Sequence, residues 1–238
     1  MRKGFFVTAT GTDAGKTVFT AGVLAMLLEK GVDAAPVKAV QTGMENSKIS
    51  PDLKVIFSLS GFKPAEKEIG FMQPFTYLKP CSPHLAAELD NKRPAAVDGI
   101  EKAVEKLYKS HEAVVVEGAG GLLVPVDRKK RIYMADIIKA LDLPVILVSP
   151  SGLGAVSSCC LNIEALKSRG IKIAGFVLND IGPKSRDGYI EKDNARVIRE
   201  FSGAGYLGTL ARIKNMNRKN LLKACSSMDG LKKLIDGV

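Results

Sequence analysis

The run Gly4-Phe5-Phe6-Val7-Thr8-Ala9-Thr10-Gly11-Thr12-Asp13-Ala14-Gly15-Lys16-Thr17 constrains this chain more than any other stretch. A short apolar strand passes into a loop of small residues, and the loop opens a helix with apolar periodicity over residues 18–28. That order is the arrangement of a phosphate-binding loop. A polyphosphate needs backbone N–H groups that can wrap it closely, the partial positive charge of a helix N-terminus, and a lysine for its outer oxygens. Gly11 and Gly15 permit the close approach, Lys16 brings the charge, and the Thr17 hydroxyl falls where Mg2+ bridges the phosphates. Thr10 stands where the usual pattern has its first glycine, five positions before the Gly-Lys pair, while Gly15-Lys16-Thr17 is intact.

With 238 residues and 46% hydrophobic content the chain can bury a full core, most simply as one α/β domain over residues 1–238. No run of 18 apolar residues occurs and the N-terminus leads directly into the loop, so neither a signal peptide nor a membrane span is expected. Cys81, Cys159, Cys160 and Cys225 lack C-x-x-C spacing and read as reduced residues of a cytoplasmic protein. The excess of 35 Lys and Arg over 25 Asp and Glu, a formal charge of +10, raises the question of nucleic acid. The basic residues are scattered, with a mild concentration from Arg212 to Lys233, and no aromatic stacking motif accompanies them. A solvated lysine-rich face is the better reading, and no nucleic-acid partner is expected. Such a field also steers small anionic substrates.

Residues 34–40 read as a second strand ending in the polar turn Gln41-Thr42-Gly43. In a parallel sheet the carboxyl ends of strands face the ligand crevice, which brings Lys38 and Thr42 toward the phosphates. A lysine within an apolar strand has to pair its ammonium, which favours a functional role over that of a surface lysine. Ser50-Pro51-Asp52 caps a helix running to about Ser60, with Asp52 at least a favourable first-turn carboxylate. Residues 62–82, broken by Pro64, Gly70, Pro74 and Pro80, read as a long functional loop. Ser82 and Pro83 open a helix, with Ser82 as its cap, and His84 reads as structural. Residues 97–108 form an amphipathic helix.

The β-branched run at 113–116 marks a strand buried on both faces, and Glu117-Gly118-Ala119-Gly120-Gly121 follows at its carboxyl end. There a phosphate-loop enzyme places its metal-side carboxylate, and this suits Glu117 better than capping a turn. Further strands are expected at 143–148, 171–180 and, shorter, 205–210, with a helix over 155–169. Asn179, at a strand end, suits either an adenine edge or an Asx turn. The result is a doubly wound, mostly parallel sheet with helices on both faces, a P-loop NTPase-like α/β fold.

Together these residues resemble dethiobiotin synthetase over roughly residues 4–182. The resemblance rests on the loop from Thr8 to Thr17, Val37-Lys38-Ala39-Val40-Gln41-Thr42-Gly43, Pro51-Asp52, Ser82-Pro83-His84, Val116-Glu117-Gly118-Ala119-Gly120-Gly121, Leu153-Gly154 and Asn179-Asp180. It implies an ATP- and Mg2+-dependent ligase that makes the ureido ring of dethiobiotin from 7,8-diaminopelargonic acid and CO2, in biotin biosynthesis. One amine captures CO2 as a carbamate, the carbamate attacks the γ-phosphoryl group of ATP, and the second amine closes the ring and expels phosphate. By the same resemblance Thr12 and Lys38 hold the carbamate and the transferring phosphoryl group, and Lys16 spans the phosphates. The backbone of Gly11, Thr12, Asp13, Ala14, Gly15 and Lys16 donates to the nucleotide, which also meets Glu117, Gly118, Gly120 and, at adenine, Asn179. Thr17, Asp52 and Glu117 coordinate Mg2+, and Thr42 contacts the diamine. The substrate carboxylate meets the helix N-terminus Gly154, Ala155, Val156 and Ser157 of the neighbouring subunit of a homodimer.

The chain departs from the family pattern at several places. Ala9 replaces the usual first loop glycine, Ser157-Ser158 stands where Asn-His is usual, and Thr209-Leu210-Ala211 lacks a proline next to the purine. Tyr189 is placed to approach the diamine from the dimer partner. Two other readings compete. A phosphate-loop ATPase switch of the MinD/ParA-like class usually has a second lysine where this chain has Gly11, and often an amphipathic membrane helix, for which residues 221–235 are ambiguous. An amidoligase relative usually adds a glutaminase domain, for which this chain is too short.

Overall fold

The structure is a computed structural model that describes residues 2–44, 47–181 and 188–238. Gly182, the last residue of the stretch that carries the resemblance, lies outside the described residues. The strands are β1 (Lys3–Ala9), β2 (Ala34–Lys38), β3 (Ala113–Glu117), β4 (Pro125–Asp127), β5 (Ile132–Tyr133), β6 (Val145–Pro150), β7 (Ile173–Asn179) and β8 (Tyr206–Leu210). The helices are α1 (Lys16–Glu29), α2 (Pro51–Ser60), α3 (Ile69–Met72), α4 (Pro83–Leu89), α5 (Val97–Leu107), α6 (Met134–Leu141), α7 (Ala155–Ser168), α8 (Tyr189–Ser202), α9 (Arg218–Ser226) and α10 (Asp229–Asp236).

Among the described residues six strands form one parallel sheet in the order β2-β3-β1-β6-β7-β8, and β4 and β5 pair as a small antiparallel ribbon. Strand order reverses at β1, whose neighbours are β3 on one side and β6 on the other. The crevice beyond the carboxyl end of β1 is therefore the topological switch point of a doubly wound sheet. The strands read as continuous apolar runs because both faces are covered: Phe6, Val7, Val114, Val115, Val116 and Ile146 are fully buried. Burying a side chain the size of Phe6 contributes about 1.5–3 kcal/mol.

Local chemistry sets the helix starts near the crevice. Ser50 Oγ accepts the Leu53 N–H at 3.3 Å, Pro51 takes the first helical position, and Gly61 at φ 78° ends α2. This places Asp52 in the first turn. Ser82, by contrast, makes no side-chain cap to α4; Pro83, with φ already set for a helix, takes the first helical position, as expected. His84 Nδ1 lies 3.3 Å from the Pro125 carbonyl oxygen and ties α4 to the ribbon, a structural contact.

The expected strand at 34–40 hands over to a loop after Lys38, where the chain turns to pair Gln41 with Thr76 in an isolated bridge. Residues 62–82 hold a 3-10 turn (Glu66–Glu68) and α3, and then return to the crevice. Residues 221–235 divide between α9 and α10, whose apolar sides, Leu221, Cys225, Leu231 and Ile235, are buried in the core beside α1 and β8. Among the described residues no helix is long and apolar enough to cross a membrane.

Candidate active site

The phosphate loop connects β1 to α1 with two residues in the left-handed region, Asp13 at φ 58° and Gly15 at φ 89°. Gly15 is obligatory there: a Cβ would lie 1.9 Å from Nδ2 of Asn179. That same Nδ2 donates to the Ala14 carbonyl at 2.9 Å, so the end of β7 pins the loop to the sheet. Lys16 leads α1 and donates to the Gly11 carbonyl at 2.9 Å, folding back over the loop. Burial, joined by the nearby Lys38 ammonium, pushes Lys16 down to about 8, against the opposing pull of Glu117, Asp52 and Asp13.

Register does the next step. Lys38 and Glu117 are partners across the β2–β3 pair, so their side chains emerge side by side on one face. Lys38 Nζ lies 2.6 Å from Glu117 Oε1, 2.5 Å from Asp52 Oδ2 and 3.1 Å from the Gly118 carbonyl. Glu117 is fully buried and Lys38 is 4% exposed, so this ion pair is desolvated on both sides. Burial works against the lysine's charge, but the charges of Glu117 and Asp52 and their hydrogen bonds prevail and raise its pKa. Thr17 Oγ1 donates to the same Glu117 oxygen at 2.9 Å, and Glu117 Oε2 has no partner among the described residues.

These groups wall a cavity of about 410 Å³ that also takes in Thr12, Thr42, Gly120 and Gln41. A second cavity of about 380 Å³ shares Thr12, Thr42 and Gly120 and is closed by Pro80, Cys81, Ser82 and Pro83. A third, of about 270 Å³, lies on the other side of Gly15, between Asn179, Leu210, Ala211 and Ile213. The loop, Lys38, Thr42, Asp52, Glu117 and Gly118 are thus drawn together. Gly154, Ala155, Val156 and Ser157 line none of these three cavities; they open α7, with Gly154 left-handed at φ 86° and without a side-chain cap. Leu153 beside them is 88% exposed and Tyr189 at the start of α8 is 64% exposed. Gln41 is not singled out by the sequence, which places it in a polar turn; its position directly after the apolar Ala39 and Val40, both buried, is the signal that it faces the crevice.

Two carboxylates and a hydroxyl suit a small hard cation, and the unpartnered buried Oε2 of Glu117 is an oxygen such a cation would satisfy. Among the described residues no group of three His, Cys, Asp or Glu forms a metal cluster, so a cation here would complete its shell with Thr17, water or phosphate.

The sheet order, the loop and the paired lysine and carboxylates at its edge define a phosphate-loop nucleotide-binding protein. Solved structures share the fold: the Pyrococcus furiosus cell division ATPase MinD (TM-score 0.61, 16% identity, 100% of this chain and 99% of that one) and MinD of Pyrococcus horikoshii complexed with Mg-ADP (0.57, 17%, 99% and 93%). Residues 3–220 match a family model described as an AAA domain. The ATP-dependent dethiobiotin synthetase of Clostridium novyi is 32% identical over 96% of this chain and 96% of its own length. That of Halalkalibacterium halodurans is 37% identical over 87% and 83%. The chain belongs to the ATP-dependent dethiobiotin synthetase family. The likeness to MinD reflects the shared fold alone.

Proposed function

We propose that this chain is an ATP-dependent cyclo-ligase that converts 7,8-diaminopelargonic acid and CO2 to dethiobiotin, the ureido-ring step of biotin biosynthesis. The observation that carries the reading is the Lys38 ammonium, buried between Asp52 and Glu117 one cavity wall away from the phosphate loop. The carbamate, the triphosphate and the transferring phosphoryl group are all anionic, so the barrier is lowered chiefly by positioning and by fixed positive charge. In this scheme Lys38 and Thr12 hold the carbamate oxygen in line with the γ-phosphoryl group, and Lys16 leaves the Gly11 carbonyl to meet the phosphates. Amides from Gly11 to Lys16 cradle the nucleotide, Gly118 and Gly120 border it, and Thr42 meets the diamine. Asn179 supports the loop and lends its edge to adenine in the third cavity. Thr17, Asp52 and Glu117 hold Mg2+, which when bound neutralises and orients the phosphate oxygens.

The chain works, on this reading, as one cytoplasmic domain paired in a homodimer. The first-turn amides of α7 in one subunit receive the substrate carboxylate of the other, with Tyr189 alongside. Phosphate release from ATP, with Mg2+ and bicarbonate, tests the activity. Release that depends on the diamine and yields a cyclic urea by mass supports the ligase; hydrolysis indifferent to the diamine, with no urea, overturns it.

A further inference from the structure

Gln41 is 6% exposed, and its hydrogen bonds are unevenly satisfied. Its backbone is fully engaged: the N–H donates to the Phe75 carbonyl at 2.8 Å and the carbonyl accepts from the Tyr77 N–H at 2.8 Å. Nε2 donates to the Thr42 carbonyl at 2.7 Å, which decides which end of the amide is nitrogen, because a carbonyl accepts only from the NH2. Oε1 is left buried with no partner among the described residues. An unsatisfied buried acceptor costs about 1–3 kcal/mol, a cost that a ligand bringing an N–H or O–H donor would relieve. Gln41 lines the main cavity beside Lys38 and Thr42.

We infer that Gln41 is an amine-binding residue of this site: Oε1 accepts an N–H of the diamine and orients the nitrogen that closes the ring. The inference rests on the ligase reading above. Its chemistry is selective. Phosphate and carbamate oxygens are acceptors and would be repelled by a carbonyl oxygen, whereas the diamine brings N–H donors to this end of the cavity. A neutral acceptor holds the amine by a hydrogen and leaves its lone pair free for attack. A carboxylate at this position would favour the unreactive ammonium.

Two variants separate acceptor from scaffold. Gln41→Met and Gln41→Glu both lose the Nε2 donor to Thr42, but only Gln41→Met loses the acceptor. The KM for 7,8-diaminopelargonic acid, the KM for ATP and the apo-protein unfolding midpoint are measured for each. Gln41→Met is expected to raise the diamine KM about tenfold, leave the ATP KM unchanged and not lower the midpoint, while Gln41→Glu keeps a diamine KM no higher than wild type but turns over more slowly, because its carboxylate holds the amine as ammonium. An unchanged diamine KM in Gln41→Met, or an equal rise in both variants, overturns the inference. Wild-type protein that shows no diamine-dependent turnover overturns the ligase reading instead.

Discussion

Lys38 concentrates the residue-scale argument. Its ammonium meets two carboxylates, the half-buried Asp52 and the fully buried Glu117, so removing it leaves Glu117 buried without its counter-ion. Lys38→Ala is expected to lower turnover by about 100-fold to 1,000-fold, and Mg2+ should raise its melting temperature more than it raises that of wild type, because a cation can take the place beside Glu117 and Asp52. Calorimetry with and without Mg2+, together with turnover, checks both; full activity in a folded variant would remove Lys38 from the reaction. A second residue gives a pH prediction. The Ser110 hydrogen bond, helped by His111 and opposed by burial, holds the Glu68 carboxyl below its ordinary 4.5. Because the folded pKa is the lower one, the stabilisation is complete above 4.5 and fades as pH falls through the folded value. Glu68→Gln should therefore unfold in less urea than wild type at neutral pH, and the gap should narrow as pH falls below 4.5 and through the lowered folded value.

At the scale of elements, what matters is which end of each one points at the crevice. α2 begins with a serine cap and a proline, and this brings Asp52 to Lys38. α1 begins in the loop itself and is buried on nearly all sides through its middle, so there it must fit its neighbours closely. Gly22 shows how closely: a Cβ there would lie 2.4 Å from the Cys225 sulfur of α9. Gly22→Ala is expected to destabilise the protein by about 1–3 kcal/mol despite the higher helix propensity of alanine. In a Cys225→Ala background the same change should be neutral or stabilising by up to about 1 kcal/mol, which urea unfolding of the four proteins would reveal.

For the whole molecule, the order β2-β3-β1-β6-β7-β8 gathers chemistry from distant parts of the chain at one switch point, while the start of α7 stands apart from the three cavities. The proposed homodimer closes that gap, and mixing tests it. Ser157→Glu puts a negative charge where it suits the helix dipole and repels a substrate carboxylate, so the variant should fold and lose activity. If each site draws Lys38 from one subunit and Ser157 from the other, equal amounts of Lys38→Ala and Ser157→Glu protein, dissociated and reassociated, should regain about a quarter of wild-type activity. No recovery from reassociated dimers would place each site within a single chain.

Much of this was legible in order along the chain. The loop announced itself because its chemistry is local: strand, glycines, lysine and hydroxyl are consecutive, and Gly15-Lys16-Thr17 needs no distant partner to be read. The buried strands were legible for the same reason, as apolar runs ending in polar residues. The ribbon β4–β5 and the helices α6, α8, α9 and α10 were not, since their short or mixed patterns acquire a buried side only once the sheet is present. Ser82 had the residue type of a cap, but its hydroxyl makes no such bond. Gln41 was opaque because an unsatisfied oxygen is a property of surroundings: Phe75, Tyr77 and Thr42 had to take its other groups first. By itself, then, the sequence determined the phosphate loop, the parallel α/β class and the residue types available for catalysis, because each depends on short-range pattern. The tertiary structure alone decided that Lys38, Asp52 and Glu117 share one charge cluster with the Lys38–Glu117 pair desolvated, and that a buried amide oxygen beside it lacks a partner among the described residues, because burial and pairing arise only where separate strands and helices meet.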